Sequence, residues 1–342
     1  MRKIRLGRTE LTVTEVSFGA LPVQRVPRGE AVRLIRRAYE GGVNYFDTAN
    51  AYTDSEQKLG LALSGVRREV ILSTKSMAKD KKTVLSHIEQ SLRALGTDYI
   101  DLFQLHNPES LPDPDDPDSA LAAALEAKRR GYVRHIGVTN HRLAVAREAI
   151  ASGLYDTLQF PFSYLASKEE TELVALCRDA DMGFIAMKAL AGGLLTNAEA
   201  CAAFMRAHPT VAPIWGIQRE CELDEFLALA ARDDLALTPE LAALIERDRR
   251  ELSGNFCRGC GYCLPCPAGI DIPTAARMNC MLRRAPTGKL LSKEYRVLMH
   301  RIDACTGCRA CASRCPYGLD TPNLLKEMLS DYDAVYLARG ER

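Results

Sequence analysis

The chain lacks an excess of charge of either sign. Among 342 residues, 45 are basic and 44 acidic, a formal net charge of +1. So balanced a composition gives no strong electrostatic case for a nucleic acid or an anionic membrane as partner. No apolar run approaches the roughly 18 residues that a membrane span needs. The opening Met-Arg-Lys-Ile-Arg-Leu-Gly has no apolar core of a secretion signal, so a cytoplasmic location is expected. The chain also has no Gly-x-Gly-x-x-Gly turn, which argues against a dinucleotide-binding doubly wound sheet. No flavin signature is visible.

What is present is a soluble, globular profile: 47% hydrophobic and 26% charged residues. The length fits one large domain plus a small one. After two short strands around Gly7-Arg-Thr, placed to cover one end of something larger, apolar strands and amphipathic helices alternate. The strands are expected at 15–21, 43–47, 69–75, 99–106, 133–140, 157–163, 183–189 and 211–217. The helices between and after them are expected at 29–40, 55–63, 83–95, 119–130, 142–151, 169–180, 197–207 and 222–231. The strands are apolar on both faces, as in a parallel sheet covered by helices. Eight such units at this length predict a (β/α)8 barrel, α/β in class, with an N-terminal β-hairpin. Residues 1–231 would form the barrel, 232–256 a connecting helix, and 257–342 a small, mostly helical cysteine-rich domain whose last segment, 321–342, has a helical start and a polar, mobile end.

The C-terminal ends of barrel strands form the face where chemistry is built. Those ends carry Asp47, Lys75, His106 and Asn140, with Gln159 near the next one and Tyr52 in the loop after Asp47. Each has a plain structural reading: a turn-forming Asp, a solvated Lys, a core His, a turn Asn. Together on one rim they are hard to explain by packing. A Lys beside a Tyr lowers the phenol's pKa from about 10. An Asp keeps that Lys charged, and a neutral His can donate to a substrate oxygen. The set suits general-acid catalysis on a developing alkoxide, as in carbonyl reduction.

These stretches resemble the aldo-keto reductase family over roughly residues 1–231. The resemblance rests on Phe-Asp47-Thr-Ala-x-x-Tyr52, Ser55-Glu56, Leu59-Gly60, Ser-Thr-Lys75, Asp101-Leu-Phe-Gln-Leu-His106 and Ile-Gly-Val-Thr139-Asn140. It implies that Tyr52 is the proton donor, that Lys75 and Asp47 tune it, and that His106 orients the substrate. It implies hydride transfer from a nicotinamide whose carboxamide is held by Thr139, Asn140 and Gln159. Met187 matches a position where many members stack an aromatic on the nicotinamide, and Lys188 is expected either to reach a pyrophosphate or simply to be solvated. The stretch Trp215-Gly216-Ile-Gln218-Arg219 with Glu222 matches the family's loop for the adenosine end. Arg219 is its one obvious cation and Glu222 would repel a 2′-phosphate, so both NADP(H) and NAD(H) stand as the cofactor. The Pro- and Asp-rich loop 107–118 is expected to be a solvated connector leading to the next helix, with a substrate lid as the alternative.

Nine of the chain's 12 cysteines follow position 256. Cys257-x-x-Cys260-x-x-Cys263-x-x-Cys266-Pro is followed by Cys305-x-x-Cys308-x-x-Cys311-x-x-x-Cys315-Pro. The second run has the spacing of a bacterial ferredoxin cluster loop, in which the Cys before Pro ligates the other cluster. This gives Cys257, Cys260, Cys263 and Cys315 for one [4Fe–4S] site and Cys305, Cys308, Cys311 and Cys266 for the second. Zinc is the alternative, but it gains nothing from a third Cys at the same spacing. Cys177, Cys201, Cys221 and Cys280 read as packing or surface residues. The tail resembles the two-cluster ferredoxin-type domain of a subgroup of aldo-keto reductases. The implied function is NAD(P)H-dependent reduction of an aldehyde or ketone, with clusters that exchange electrons with a ferredoxin-like partner or are structural. A different reading makes the protein an iron–sulfur electron-transfer or redox-sensing module whose reductase activity is secondary.

Overall fold

A computed structural model describes residues 1–252, 256–284 and 290–339 of the chain. They form two compact units. One comprises Met1–Leu190 and Asn197–Ala242, the other Ala191–Thr196 and Ala243–Arg342.

The first unit is the expected barrel. Strands β1 (Lys3–Arg5) and β2 (Thr12–Thr14) pair as an antiparallel hairpin. Eight parallel strands then close on themselves: β3 (Ser17–Gly19), β4 (Tyr45–Asp47), β5 (Ile71–Ser76), β6 (Ile100–His106), β7 (Val133–Thr139), β8 (Thr157–Pro161), β9 (Gly183–Met187) and β10 (Val211–Gly216). Helices α1 (Arg28–Glu40), α2 (Ser55–Leu63), α3 (Lys81–Leu95), α4 (Ala120–Arg129), α5 (Leu143–Ser152), α6 (Lys168–Asp179), α7 (Ala198–Arg206) and α8 (Glu220–Ala230) follow the strands in turn. Several start at residues that satisfy the first free N–H groups. Asp80 accepts from Thr83, Ser119 from Ala122 and Asn197 from Ala200, while Ser167 and Glu170 form a reciprocal capping box.

Along each strand alternate side chains point inward. Tyr45, Leu102, Ile185, Ala212 and Ile214 meet Ile4, Leu6 and Val13 of the hairpin in one buried cluster, so the hairpin plugs the barrel as its position in the sequence suggested. Two residues further along several of these strands stand the polar groups of the opposite end. Loop 107–118 leads to Ser119, and its four aspartates Asp113, Asp115, Asp116 and Asp118 are exposed, as a solvated connector requires.

The second unit has its own core. Ile270, Ile272, Ala275, Met278, Met299, Ile302, Leu325 and Tyr332 are buried together. Helix α9 (Pro239–Glu251) crosses the boundary between the units, which falls after Ala242. One expectation is corrected here. The last segment is not helical only at its start, because a single helix runs from Thr321 to Arg339. Leu324, Leu325, Met328 and Tyr332 recur at helical spacing and bury one face, which carries the helix on past its polar residues. Residues 253–255 of the expected connector and 340–342 of the expected polar end lie outside the described residues. No described helix is long and apolar enough to cross a membrane.

Candidate active site and cysteine cavities

Parallel register carries the strand-end residues into one place. Asp47 aligns with Ser73, Lys75 with Gln104, and His106 with Thr139, which aligns in turn with Gln159. Each candidate shares its inward phase with a residue two positions earlier in its strand: Tyr45 before Asp47, Ser73 before Lys75, Gln104 before His106.

Lys75 donates to Asp47 Oδ2 at 2.6 Å and to the Thr48 carbonyl. The side chains of this pair are 1% and 6% exposed. Ser73 donates to Asp47 Oδ1 at 2.5 Å and receives a bond from Tyr45 Oη at 3.0 Å. Burial pulls Lys75 below the ordinary lysine range, and the charge and hydrogen bond of Asp47 oppose that fall. The ammonium lies 5.5 Å from the centroid of the Tyr52 ring. The His106 ring stands edge-on to Tyr52, with centroids 5.9 Å apart and an angle of 82°. Burial, assisted by the Lys75 charge, pushes His106 down to about 3, so its imidazole is neutral near pH 7. Its buried Nδ1 has no hydrogen-bond partner. The structure therefore brings Asp47, Tyr52, Lys75 and His106 together.

The residues expected at the nicotinamide behave unequally. Asn140 is already committed to its own loop: Oδ1 accepts from the N–H groups of His141 and Arg142, and Nδ2 donates to the Pro108 carbonyl. Thr139 Oγ1 accepts from Asn107 N at 3.0 Å. Gln159 Oε1 accepts from Gln104 Nε2 at 2.7 Å. Met187 ends β9, and Lys188 follows with a positive φ of 56°. Within β10, Trp215 is a core residue. It is buried, stacks on Phe226 at 4.2 Å and donates to the Glu15 carbonyl. Glu222 accepts from the N–H groups of Gln218 and Arg219 with one oxygen and pairs with the Arg219 guanidinium through the other.

Sequence reading missed three buried polar groups. Ser73 and Gln104 both touch Asp47. Glu56, named only as part of a motif, is buried and accepts from Thr74 at 2.6 Å, and its burial holds its carboxyl above the usual range. Polar residues in the inward phase of apolar strands are the signal that could have found the first two.

In the second unit the eight motif cysteines line two cavities. One is lined by Cys257, Cys260, Cys263 and Cys315, with Tyr317 and Ile272. The other is lined by Cys305, Cys308, Cys311 and Cys266, with Cys263 on the shared wall. The turns between them are made by residues with positive φ. Gly259 (64°) takes a left-handed conformation that favours glycine, and a Cβ there would displace the Arg277 guanidinium, 2.9 Å away. None of the described cysteines forms a disulfide. Among the described residues no three His, Cys, Asp or Glu side chains close on a point as a single metal ion demands. A cuboidal cluster holds its four thiolates further apart, and the cysteines lining each cavity supply the four that it takes. Burial and the neighbouring sulfurs of Cys257 and Cys260 push the Cys263 thiol up to about 12, so a thiolate there needs a cationic centre beside it. Cys280 lines neither cavity, and Cys177 is a buried thiol that burial raises to about 12.

Comparison with known proteins places these features. Residues 14–234 match the model of the aldo/keto reductase family, and residues 256–320 match that of a 4Fe-4S dicluster domain. An uncharacterized oxidoreductase, YqkF of Bacillus subtilis, is 30% identical over 211 residues, covering 58% of this chain and 67% of its own length. The NADH-specific methylglyoxal reductase of Escherichia coli is 30% identical over 228 residues, covering 58% and 70%. The aldo-keto reductase AKR11C1 of Bacillus halodurans, in its holo form, superposes with a TM-score of 0.64 at 25% identity, over 72% of this chain and 96% of its own.

Proposed function

We infer the activity from one premise: the chain belongs to the aldo/keto reductase family. It is an NAD(P)H-dependent oxidoreductase, and we propose that its reaction is the reduction of an aldehyde or ketone to an alcohol. The observation that carries this reading is the position of the Lys75 ammonium, ion-paired to Asp47 at 2.6 Å and 5.5 Å from the centre of the Tyr52 ring. A reduced nicotinamide, when bound, supplies the hydride. The chain's residues do the rest. Neutral His106 and the Tyr52 hydroxyl hold the carbonyl oxygen. Tyr52 gives that oxygen its proton as negative charge develops, and the Lys75 charge favours the phenolate left behind. Asp47 keeps Lys75 protonated despite its burial.

Residues that would hold the cofactor are Thr139, Asn140 and Gln159 at the carboxamide, Met187 and Lys188 beside it, and Gly216 and Gln218 at the adenosine end, which the Arg219–Glu222 pair borders. Arg219 is spent on Glu222, and Glu222 occupies the N–H groups of Gln218 and Arg219. That arrangement favours a free ribose hydroxyl over a 2′-phosphate, so NAD(H) is the preferred form. A relative 30% identical is named NADH-specific.

The two cysteine-lined cavities support two [4Fe–4S] clusters and keep a second reading in view. In it the clusters exchange electrons with a ferredoxin-like partner or sense redox state, and the reductase is secondary. The exposed Cys308 favours it, because one cluster would then lie near the surface.

The test is turnover of an aldehyde and ketone panel by anaerobically purified full-length protein. Tyr52→Phe is expected to cut turnover by at least about a hundredfold while cofactor binding persists. Absence of turnover by the intact protein on every substrate would sink the reductase reading. A turnover unchanged by Cys308→Ser or Cys260→Ser would remove the clusters from the reaction.

A further inference from the structure

Gln104 sits mid-strand in β6, fully buried, in a family motif to which no role was attached. A side chain of this size fits inside the barrel because its neighbour in β7 is Gly137, whose Cβ would come within 3.2 Å of Gln104 Cγ and 2.2 Å of Thr157 Oγ1. Its Nε2 donates to Gln159 Oε1 at 2.7 Å and lies 3.4 Å from Asp47 Oδ1. Its Oε1 is buried without a partner.

An orphaned buried acceptor costs free energy, and turning the amide over is the obvious remedy. Here the turn is blocked. It would set Gln104 Oε1 against the Asp47 carboxylate, which in its ion pair with Lys75 can only accept, and against the Gln159 oxygen as well. Charge at Asp47 therefore fixes the orientation of Gln104, and Gln104 in turn takes up the oxygen of Gln159. What Gln159 has left to present is its NH₂ group. Asn140 Oδ1 and Thr139 Oγ1 accept from loop N–H groups and Asn140 Nδ2 gives one N–H to Pro108, so what these two have left are donors as well.

We propose that Gln104 is a positioning residue. It carries the polarity of the Asp47 carboxylate to Gln159, so that Gln159 offers a hydrogen-bond donor and selects a carbonyl oxygen on the ring substituent of the bound nicotinamide. This rests on the cofactor assignment above. It adds that the site reads the carboxamide by its oxygen rather than by its nitrogen.

Two analogues of NAD separate these halves. The 3-acetylpyridine analogue keeps the carbonyl oxygen and loses the NH₂. The thionicotinamide analogue keeps the NH₂ and replaces the oxygen with a poor acceptor. Calorimetric titration of the full-length protein is expected to show NAD and the acetylpyridine analogue binding alike and the thionicotinamide analogue about fivefold weaker. In Gln104→Met and Gln104→Leu, both of similar volume, the first two are expected to weaken about fivefold and the third to hold, so that the gap closes. A gap unchanged in folded variants would overturn the relay. So would a wild-type ranking in which the thionicotinamide analogue outbinds the acetylpyridine one, and that measurement decides the matter even if both variants unfold. Wild-type protein that binds none of the three would overturn the cofactor assignment and the relay together. Binding with carbonyl turnover but no ranking would overturn the relay alone.

Discussion

The Lys75 ammonium and the Asp47 carboxylate meet at 2.6 Å with almost no solvent access to either. Such a pair is worth little against an apolar replacement, because desolvating two charges offsets their attraction. Removing one partner is different, since it strands the other charge in the barrel. Asp47→Asn and Lys75→Met are each expected to destabilise the first unit by about 3–5 kcal/mol. The double variant is expected to lose clearly less than the sum, because no uncompensated charge remains. Chemical denaturation of all three variants, followed by far-UV circular dichroism, checks this. Strict additivity would mean that the pair is not coupled as drawn.

His106 gives a pH dependence with a definite sign. In the unfolded chain its pKa is about 6.5, while burial holds it to about 3 in the fold. Above pH 6.5 both states are neutral and the residue contributes nothing. Below that, the unfolded chain binds a proton that the fold refuses, so stability falls as pH drops from about 6.5 towards 3. His106→Asn is expected to flatten this part of the stability curve. Urea midpoints of wild type and variant at half-unit steps from pH 4 to pH 7 would show it, and parallel curves would contradict it.

At the adenosine end, Glu222 neutralises the one expected phosphate-binding cation. Glu222→Gln removes the negative charge and frees the Arg219 guanidinium. The ratio of kcat/KM with NADPH to that with NADH is expected to rise about tenfold, the scale of a hydrogen bond to a charged group. Arg219→Ala in the wild-type background is expected to leave NADH kinetics within about twofold, since that cation is already committed. A large loss with NADH would show that Arg219 touches the cofactor directly.

Strand and helix bounds were legible because parallel barrel strands are apolar on both faces and their helices are amphipathic, so the change of period marks each boundary. Strand ends placed Asp47, Lys75 and His106 correctly for the same reason. Gln104 and Ser73 were not legible as functional residues, because a buried polar side chain shows its partners only when the neighbouring strands are in register. Trp215 was misleading in the other direction. It stands beside the cofactor loop in sequence, but α8 brings Phe226 against it and turns it into core. The engagement of Arg219 by Glu222 is a rotamer choice that spacing alone could not reveal.

The cysteine cavities group the cysteines as the motifs predict. The ferredoxin-type spacing assigns the Cys before Pro in each run to the other run's cluster. The cavity linings exchange the last member of each run, placing Cys315 with Cys257, Cys260 and Cys263, and Cys266 with Cys305, Cys308 and Cys311. Single replacement by Ser should therefore sort the variants by cavity. Cys257→Ser and Cys315→Ser are expected to lose one and the same cluster signal, with iron and sulfide per chain falling by about half relative to wild type. Cys305→Ser and Cys266→Ser are expected to lose the other. Dithionite-reduced EPR of anaerobically purified protein distinguishes the two, because two reduced clusters in one small domain couple magnetically and the loss of either leaves an uncoupled spectrum. If Cys315→Ser instead matched Cys305→Ser, the cysteines would be grouped by run and the exchange would be wrong. Stoichiometric zinc with iron and sulfide near zero would remove the clusters altogether.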